Sequence, residues 1–247
     1  MKKAVGFDQK ILLDHLNYTI NEVSYTKKEE MYKKLDQYLI KDIKGNKSRK
    51  NATTILMKIW CSNHETNKCI QKRAFKLLPQ LDSQERVALH WGMTLSAYPF
   101  FKDIASEIGR LASRQHDFSS SQICRKMKEL YGDRRRVEVA YQAVLTSMKN
   151  WGVVIQKKQG VYVLPEKIKI FNNNIINWLV EAAIISLKRE YIQMDEVPTL
   201  LYLFPFSFNI NTGLLDKGIF EITNQSINKT IIGIKKTRQT MRENGQT

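Results

Sequence analysis

From Ser119 to Leu164 the apolar positions change period once, and that change sets the expected order of elements. Ile123, Met127 and Leu130 recur at helical spacing behind Ser119-Ser120-Ser121, which predicts a capped amphipathic helix broken at Tyr131-Gly132-Asp133. Val137, Tyr141, Val144, Leu145, Met148 and Trp151 form the stripe of a second helix, leaving Arg135, Arg136, Glu138, Gln142 and Lys149 to point away from it. Gly152 stands where a helix-ending glycine belongs. Beyond it, Val153-Val154-Ile155 and Gly160-Val161-Tyr162-Val163-Leu164 read as two strands, with Gln156-Lys157-Lys158-Gln159-Gly160 as a short basic tip.

Helical spacing also dominates the chain on either side. Residues 8–44 predict two helices split near Val23 to Thr26, the first burying Ile11, Leu12, His15, Leu16 and Ile20, the second Met31, Leu35, Tyr38, Leu39 and Asp42. Thr26 and Glu29 have the spacing of a capping box for the second. The basic stretch Lys44 to Asn51 reads as a solvated loop, or as a second phosphate site made by Lys47, Arg49 and Lys50 ahead of a helix N-terminus. Helices are then expected over Ala52 to Trp60, Glu65 to Leu78, Asp82 to Leu95 with Val87, Trp91 and Leu95 inward, and Phe100 to His116 with Ile104, Ile108 and Leu111 on one side. Past Pro165 come a strongly apolar helix, Ile175 to Tyr191, suited to burial on most sides or to a dimer seam, and a short element from Glu196 to Phe204. A β-hairpin closing at Asn224 to Asn228 and a polar basic tail from Lys235 follow. The expected boundaries are a helical N-terminal region (1–97), a helix-and-hairpin unit (98–165) and a C-terminal region (166–247).

Charge narrows the choice of partner. Lys and Arg number 40 against 24 Asp and Glu, a formal +16, while 43% of the residues are hydrophobic. Such a chain folds around a core and still carries a positive field that favours phosphate polymers. No run approaches the ~20 apolar residues that span a bilayer, and the N-terminus, Met1-Lys2-Lys3, lacks the apolar core of a secretion signal. Three cysteines agree with a reducing compartment, so a cytoplasmic protein without membrane attachment is expected.

Catalytic and metal chemistry find little support in the pattern. Cys61, His64 and Cys69 form C-x2-H-x4-C, but a structural zinc site wants four ligands and the remaining candidates, His90 and Cys124, are distant singles. A buried Cys61 beside Trp60 and a surface His64 are the expected reading, with Cys124 a small core residue. Nucleotide-loop, dinucleotide and hydrolase motifs are absent. The only adjacent carboxylates, Glu29-Glu30 and Asp195-Glu196, stand where helix starts favour negative charge. Tyr98, Phe100 and Phe101 could stack on bases but are expected in the core.

The central unit, roughly Phe100 to Leu164, resembles a winged helix-turn-helix. In that family the second helix enters the major groove and the hairpin follows a neighbouring phosphate strand. The resemblance implies that Arg135, Arg136 and Gln142 face base edges, with Lys149 on the same polar face, and that Arg134, Lys157 and Lys158 hold phosphates. The expected architecture is therefore mainly α: a helical N-terminal region packed with a winged helix-turn-helix unit of three helices plus a β-hairpin, and a smaller α+β C-terminal region. The layout is also similar to the BrxA-type accessory proteins of BREX phage-defence systems. The likeness lies in an all-helical basic N-terminal half, a winged unit ending in Lys149-Asn150-Trp151-Gly152-Val153-Val154, and Leu203-Phe204-Pro205-Phe206 in the C-terminal region. It implies a non-enzymatic component that binds double-stranded DNA, works beside other subunits of a defence complex, needs no cofactor or metal and has no catalytic residues. A protein–protein interaction subunit, a transcriptional regulator and a nuclease with carboxylates gathered from afar remain as alternatives, and the oligomeric state stays open.

Overall fold

A computed structural model describes residues 3–61, 65–226 and 229–235. A non-helical segment, residues 3–12, leads into α1 (Leu13–Val23), α2 (Lys28–Leu39), α3 (Asn46–Trp60), α4 (Glu65–Leu77), α5 (Ser83–Ala97) and α6 (Pro99–Ala112). Next come β1 (Asp117–Ser119), α7 (Ser120–Tyr131), α8 (Arg135–Asn150), β2 (Ile155–Lys158) and β3 (Val161–Val163). The C-terminal part holds β4 (Ile168–Lys169), α9 (Asn173–Leu187), β5 (Tyr191–Gln193), 3-10 turns at Met194–Thr199 and Leu201–Leu203, β6 (Phe206–Ser207), β7 (Phe220–Ser226) and β8 (Lys229–Ile234). The fold is mainly helical, as the apolar spacing predicts, with small sheets ordered β1-β3-β2, β4-β6 and β5-β8-β7.

The core is built where α5 crosses α9. Nearly every residue from Ile175 to Ile184 is buried, so α9 is an interior helix and its apolar stripe is covered within the chain. Gly92 makes the crossing possible, because a Cβ there would lie 2.5 Å from the Trp178 ring and 2.9 Å from Ala182. The neighbouring Trp91 joins three parts of the chain. Its Nε1 donates to the Tyr202 carbonyl at 2.9 Å, and its ring meets Phe101, Trp151 and Phe204 edge-on at 4.9, 6.2 and 5.5 Å. One buried cluster consequently contains Leu95, Tyr98, Phe101, Trp151 and Ile170, and runs across both expected boundaries. Tyr98, Phe100 and Phe101 are all within it and offer no stacking platform. Glu181 on α9 is buried and accepts two N–H groups of Arg73 from α4.

Capping signals succeed in part. Ser119 and Gln122 form the box that starts α7, and Asp82 accepts from the Glu85 N–H at 2.8 Å to start α5. Thr26 does not cap α2. Lys27 occupies that position, and the Thr26 hydroxyl accepts from Lys34 Nζ at 3.1 Å instead.

Several spans also shift. Leu130 is not on the buried face of α7, which consists of Ile123, Met127 and Tyr131. Tyr131 takes that place because its hydroxyl donates to Asp103 at 2.8 Å and its ring packs edge-on against Phe100. The Lys44 to Asn51 stretch is not a loop throughout: α3 begins at Asn46, and Arg49 fastens this turn to Asp36 and to the carbonyls of Ile43 and Lys44. The apolar helix stops at Leu187, where Lys188 turns left-handed with φ 56°, and Tyr191 enters β5. The expected closure at Asn224 to Asn228 matches the β7/β8 hairpin, although 227–228 lie outside the described residues, as does the tail beyond Lys235.

Candidate nucleic-acid interface

The geometry of α8 follows from what covers it. Val137, Tyr141, Val144, Leu145, Met148 and Trp151 are buried, so the inner stripe lies where the spacing puts it. One flank is closed by residues 3–12. The Ile11 N–H donates to Ser147 Oγ at 2.8 Å, Trp151 Nε1 donates to the Ile11 carbonyl at 2.9 Å, and the Leu13 N–H donates to Asn150 Oδ1 at 2.6 Å. Nearer the start of α8, Asp8 pairs with Arg136 at 3.3 Å and Arg134 Nη2 donates to the Lys3 carbonyl at 3.1 Å. Ala140, Ala143 and Ser147 are buried. Phe7 anchors the segment in the core, fully buried with φ 51° and packed edge-on against Tyr98 at 5.3 Å.

On α8 the exposed residues Arg135, Val139, Gln142, Thr146 and Lys149 form a straight stripe at alternating steps of four and three, with exposed Arg136 and Asn150 beside it. That spacing keeps side chains on one line along a helix. At its end Lys149 Nζ donates to Gln156 Oε1 at 2.9 Å, which joins the stripe to β2. All four residues of β2 are exposed. β2 pairs antiparallel with β3, and β3 with β1, so β2 is one of the two outer strands of this sheet. Lys157 and Lys158 lie within β2 and not at a loop tip. Gly160, with φ 73°, lets the chain reverse within Gln159-Gly160, and the strand therefore extends through both lysines.

The cations expected here are not equally free. Among the described residues the side chains of Arg135 and Lys158 have no hydrogen bond or ion pair, and that of Lys157 has only Asp117, at 3.9 Å. Arg136 sits at the edge of the stripe against Asp8. Arg134 is a structural residue: Nη2 donates to the Tyr131 carbonyl at 2.9 Å as well as to Lys3, and its Nε is buried, so the phosphate role expected of it does not fit. Arg49 is likewise taken up by Asp36 and two carbonyls. Lys47 and Lys50 are exposed on the opening turns of α3, which packs mainly against α1, α2 and α5. Lys128 bridges Asp133 at 2.9 Å and Glu138 at 2.6 Å. Those two carboxylates raise its pKa and remove it from the pool of free charge.

Val139 and Thr146 are stripe members that the charge-led reading passes over, although the step from Arg135 through Gln142 to Lys149 marks both positions. Closure by residues 3–12 leaves no local signal, since Asp8 and Arg136 are far apart in sequence.

Cys61 is half-buried, and burial pushes its thiol up to about 11; Cys69 is exposed, and His64 lies outside the described residues. Cys124 packs at the edge of the core. No group of three or more His, Cys, Asp or Glu is placed to hold a metal ion among the described residues, and no helix among them is long and apolar enough to cross a membrane. His90 is fully buried beside Asn17, with its pKa pushed down to about 3 by burial, then by Arg86. His15 accepts from the Leu12 N–H and meets Asp42 at 3.0 Å, and burial lowers its pKa as well.

Comparison with known proteins gives no match. No family model, curated protein or solved structure pairs with the chain. The assignment of this surface thus rests on its own geometry and charge.

Proposed function

We propose that this chain is a non-enzymatic protein that binds double-stranded DNA through a winged helix-turn-helix unit, as an accessory component of a BREX-like phage-defence system. One observation carries the DNA reading. The order α6, β1, α7, α8, β2, β3, with β3 between β1 and β2, sets β2 beside the end of α8, and the Lys149–Gln156 contact joins the open stripe to that strand. A helix with side chains is roughly 10–12 Å across, and the major groove is about 12 Å wide. Arg135, Gln142 and Lys149 then meet the groove and its rim, while Lys157 and Lys158 meet the flanking phosphates. Arg136 contributes at the edge once Asp8 yields to a phosphate. The defence role rests on the resemblance in layout. Trp151, Val153, Val154, Leu203, Phe204 and Phe206, which carry that resemblance, are all buried, so they assign no contact to DNA.

Dimethyl sulfate footprinting tests the docking. The reagent methylates guanine N7 in the major groove and adenine N3 in the minor groove. The reading expects the full chain to protect guanines, and Arg135→Ala/Lys149→Ala to lose that protection. Protection of adenine N3 alone, or none at concentrations that retain the duplex, would overturn it. Phage plating on a host carrying the native gene cluster, with and without this chain, tests the defence role, and equal plaque counts contradict it.

A further inference from the structure

We infer that α8 reads a thymine through Val139, next to a base pair addressed by Gln142. The inference deepens the proposed docking and rests on it.

The stripe Arg135, Val139, Gln142, Thr146, Lys149 is polar except at one place. Val139 is 40% exposed, in the middle of the open face, and stands outside the buried core and the apolar groups packed on it. The segment 3–12, which closes the neighbouring flank, is held by Arg136, Ser147 and Trp151. A branched apolar side chain here gains nothing from helix propensity, for which Ala, Lys, Glu or Gln would serve better. In the major groove the thymine 5-methyl is the one apolar group on a base edge. Adenine, guanine and cytosine present donors and acceptors that valine would cover without replacing their hydrogen bonds.

Position agrees with this chemistry. Three residues of helix advance about 4.5 Å, close to the ~3.4 Å step between bases of one strand. Val139 and Gln142 therefore stand over adjacent base pairs. Gln142 has the paired acceptor and donor that match adenine N6 and N7, and Arg135, one turn before Val139, has the fork that matches guanine O6 and N7. The preferred duplex has a thymine at the Val139 pair, with adenine beside it.

The test begins with selection from a random duplex library using the full chain. Affinity is then measured for the enriched duplex with each thymine in turn replaced by deoxyuridine, which removes only the 5-methyl. At one thymine the wild type should bind about fourfold more weakly, the value of burying one such carbon. Val139→Ser should bind the thymine duplex about as weakly and show no difference between thymine and deoxyuridine at that position. Tolerance of every deoxyuridine by the wild type, or an unchanged penalty in Val139→Ser, overturns the inference. Duplex binding with no sequence enriched also overturns it and leaves the docking proposal standing. Absence of any duplex binding removes both.

Discussion

Replacing Gly92 by alanine tests whether the scaffold beneath α8 depends on the close α5–α9 crossing. In an ordinary helix interior the change stabilises, by about 1 kcal/mol of propensity. Here the new Cβ would stand 2.5 Å and 2.9 Å from two Trp178 ring carbons and 2.9 Å from the Ala182 Cβ. Ordinary contact begins near 3.4 Å, so the helices must separate by close to an ångström or Trp178 must turn. Turning it would strain the bond from its Nε1 to the Ile70 carbonyl, now 2.8 Å, and so disturb α4. Overpacking of this kind costs about 1–3 kcal/mol. With three close contacts on a buried ring the upper part of that range applies, leaving a net loss of about 1–2 kcal/mol. For a chain of this size that is a fall in Tm of roughly 2–8 °C. Thermal unfolding followed by circular dichroism measures it, and Gly92→Ala combined with Ala182→Gly should recover part of the loss. A Gly92→Ala protein as stable as the wild type, or more so, would refute the packing argument.

Removing Arg73 leaves Glu181 buried without its partner. Arg73 is partly exposed, so Arg73→Ala should cost about 2 kcal/mol, below the value for a fully buried pair. Burial already raises the Glu181 pKa, against the pull of Arg73. The folded state therefore holds its proton more tightly than the unfolded chain, and stability falls as pH rises through that window. Loss of Arg73 extends the window upward, so urea unfolding should show a larger deficit at pH 7 than at pH 5. His90 acts in the opposite sense: with its folded pKa at about 3, the unfolded chain binds the extra proton between there and 6.5, and stability drops as pH falls through that range. His90→Gln should flatten that part of the pH–stability curve, and an unchanged curve would contradict the role of burial. Asp8→Asn should release Arg136 and tighten binding to a random duplex by about two- to fivefold at low salt. Fluorescence anisotropy would detect the gain, and weaker binding would place Asp8 in a supporting role.

The helices of this fold are legible because their apolar spacing is their burial pattern. Val137 to Trp151 on α8 and Ile104 to Leu111 on α6 fall where the periodicity puts them. Ends and partners are less legible, because tertiary bonds decide them. Tyr131 displaces Leu130 through a hydrogen bond to Asp103, on another helix, and Arg49 turns an expected loop into helix by binding Asp36. The candidate surface divides in the same way. Exposure of Arg135, Gln142 and Lys149 follows from the spacing of their neighbours. The occupation of Arg134 by the Lys3 carbonyl, and of Arg136 by Asp8, depends on a segment more than a hundred residues away in sequence. Charge counting therefore overstates the free positive surface near α8, since it includes arginines that the fold has already used.

The claim that α8 and β2 form one DNA-binding surface is tested most directly by the salt dependence of affinity for a random duplex, wild type against Arg135→Ala/Lys149→Ala/Lys157→Ala/Lys158→Ala. All four side chains are exposed, so the variant should fold as the wild type does. Each neutralised phosphate contributes about −0.9 to the slope of log K against log salt concentration. A steep wild-type slope should become shallower by roughly three to four in the variant. Identical slopes in the two proteins would contradict it.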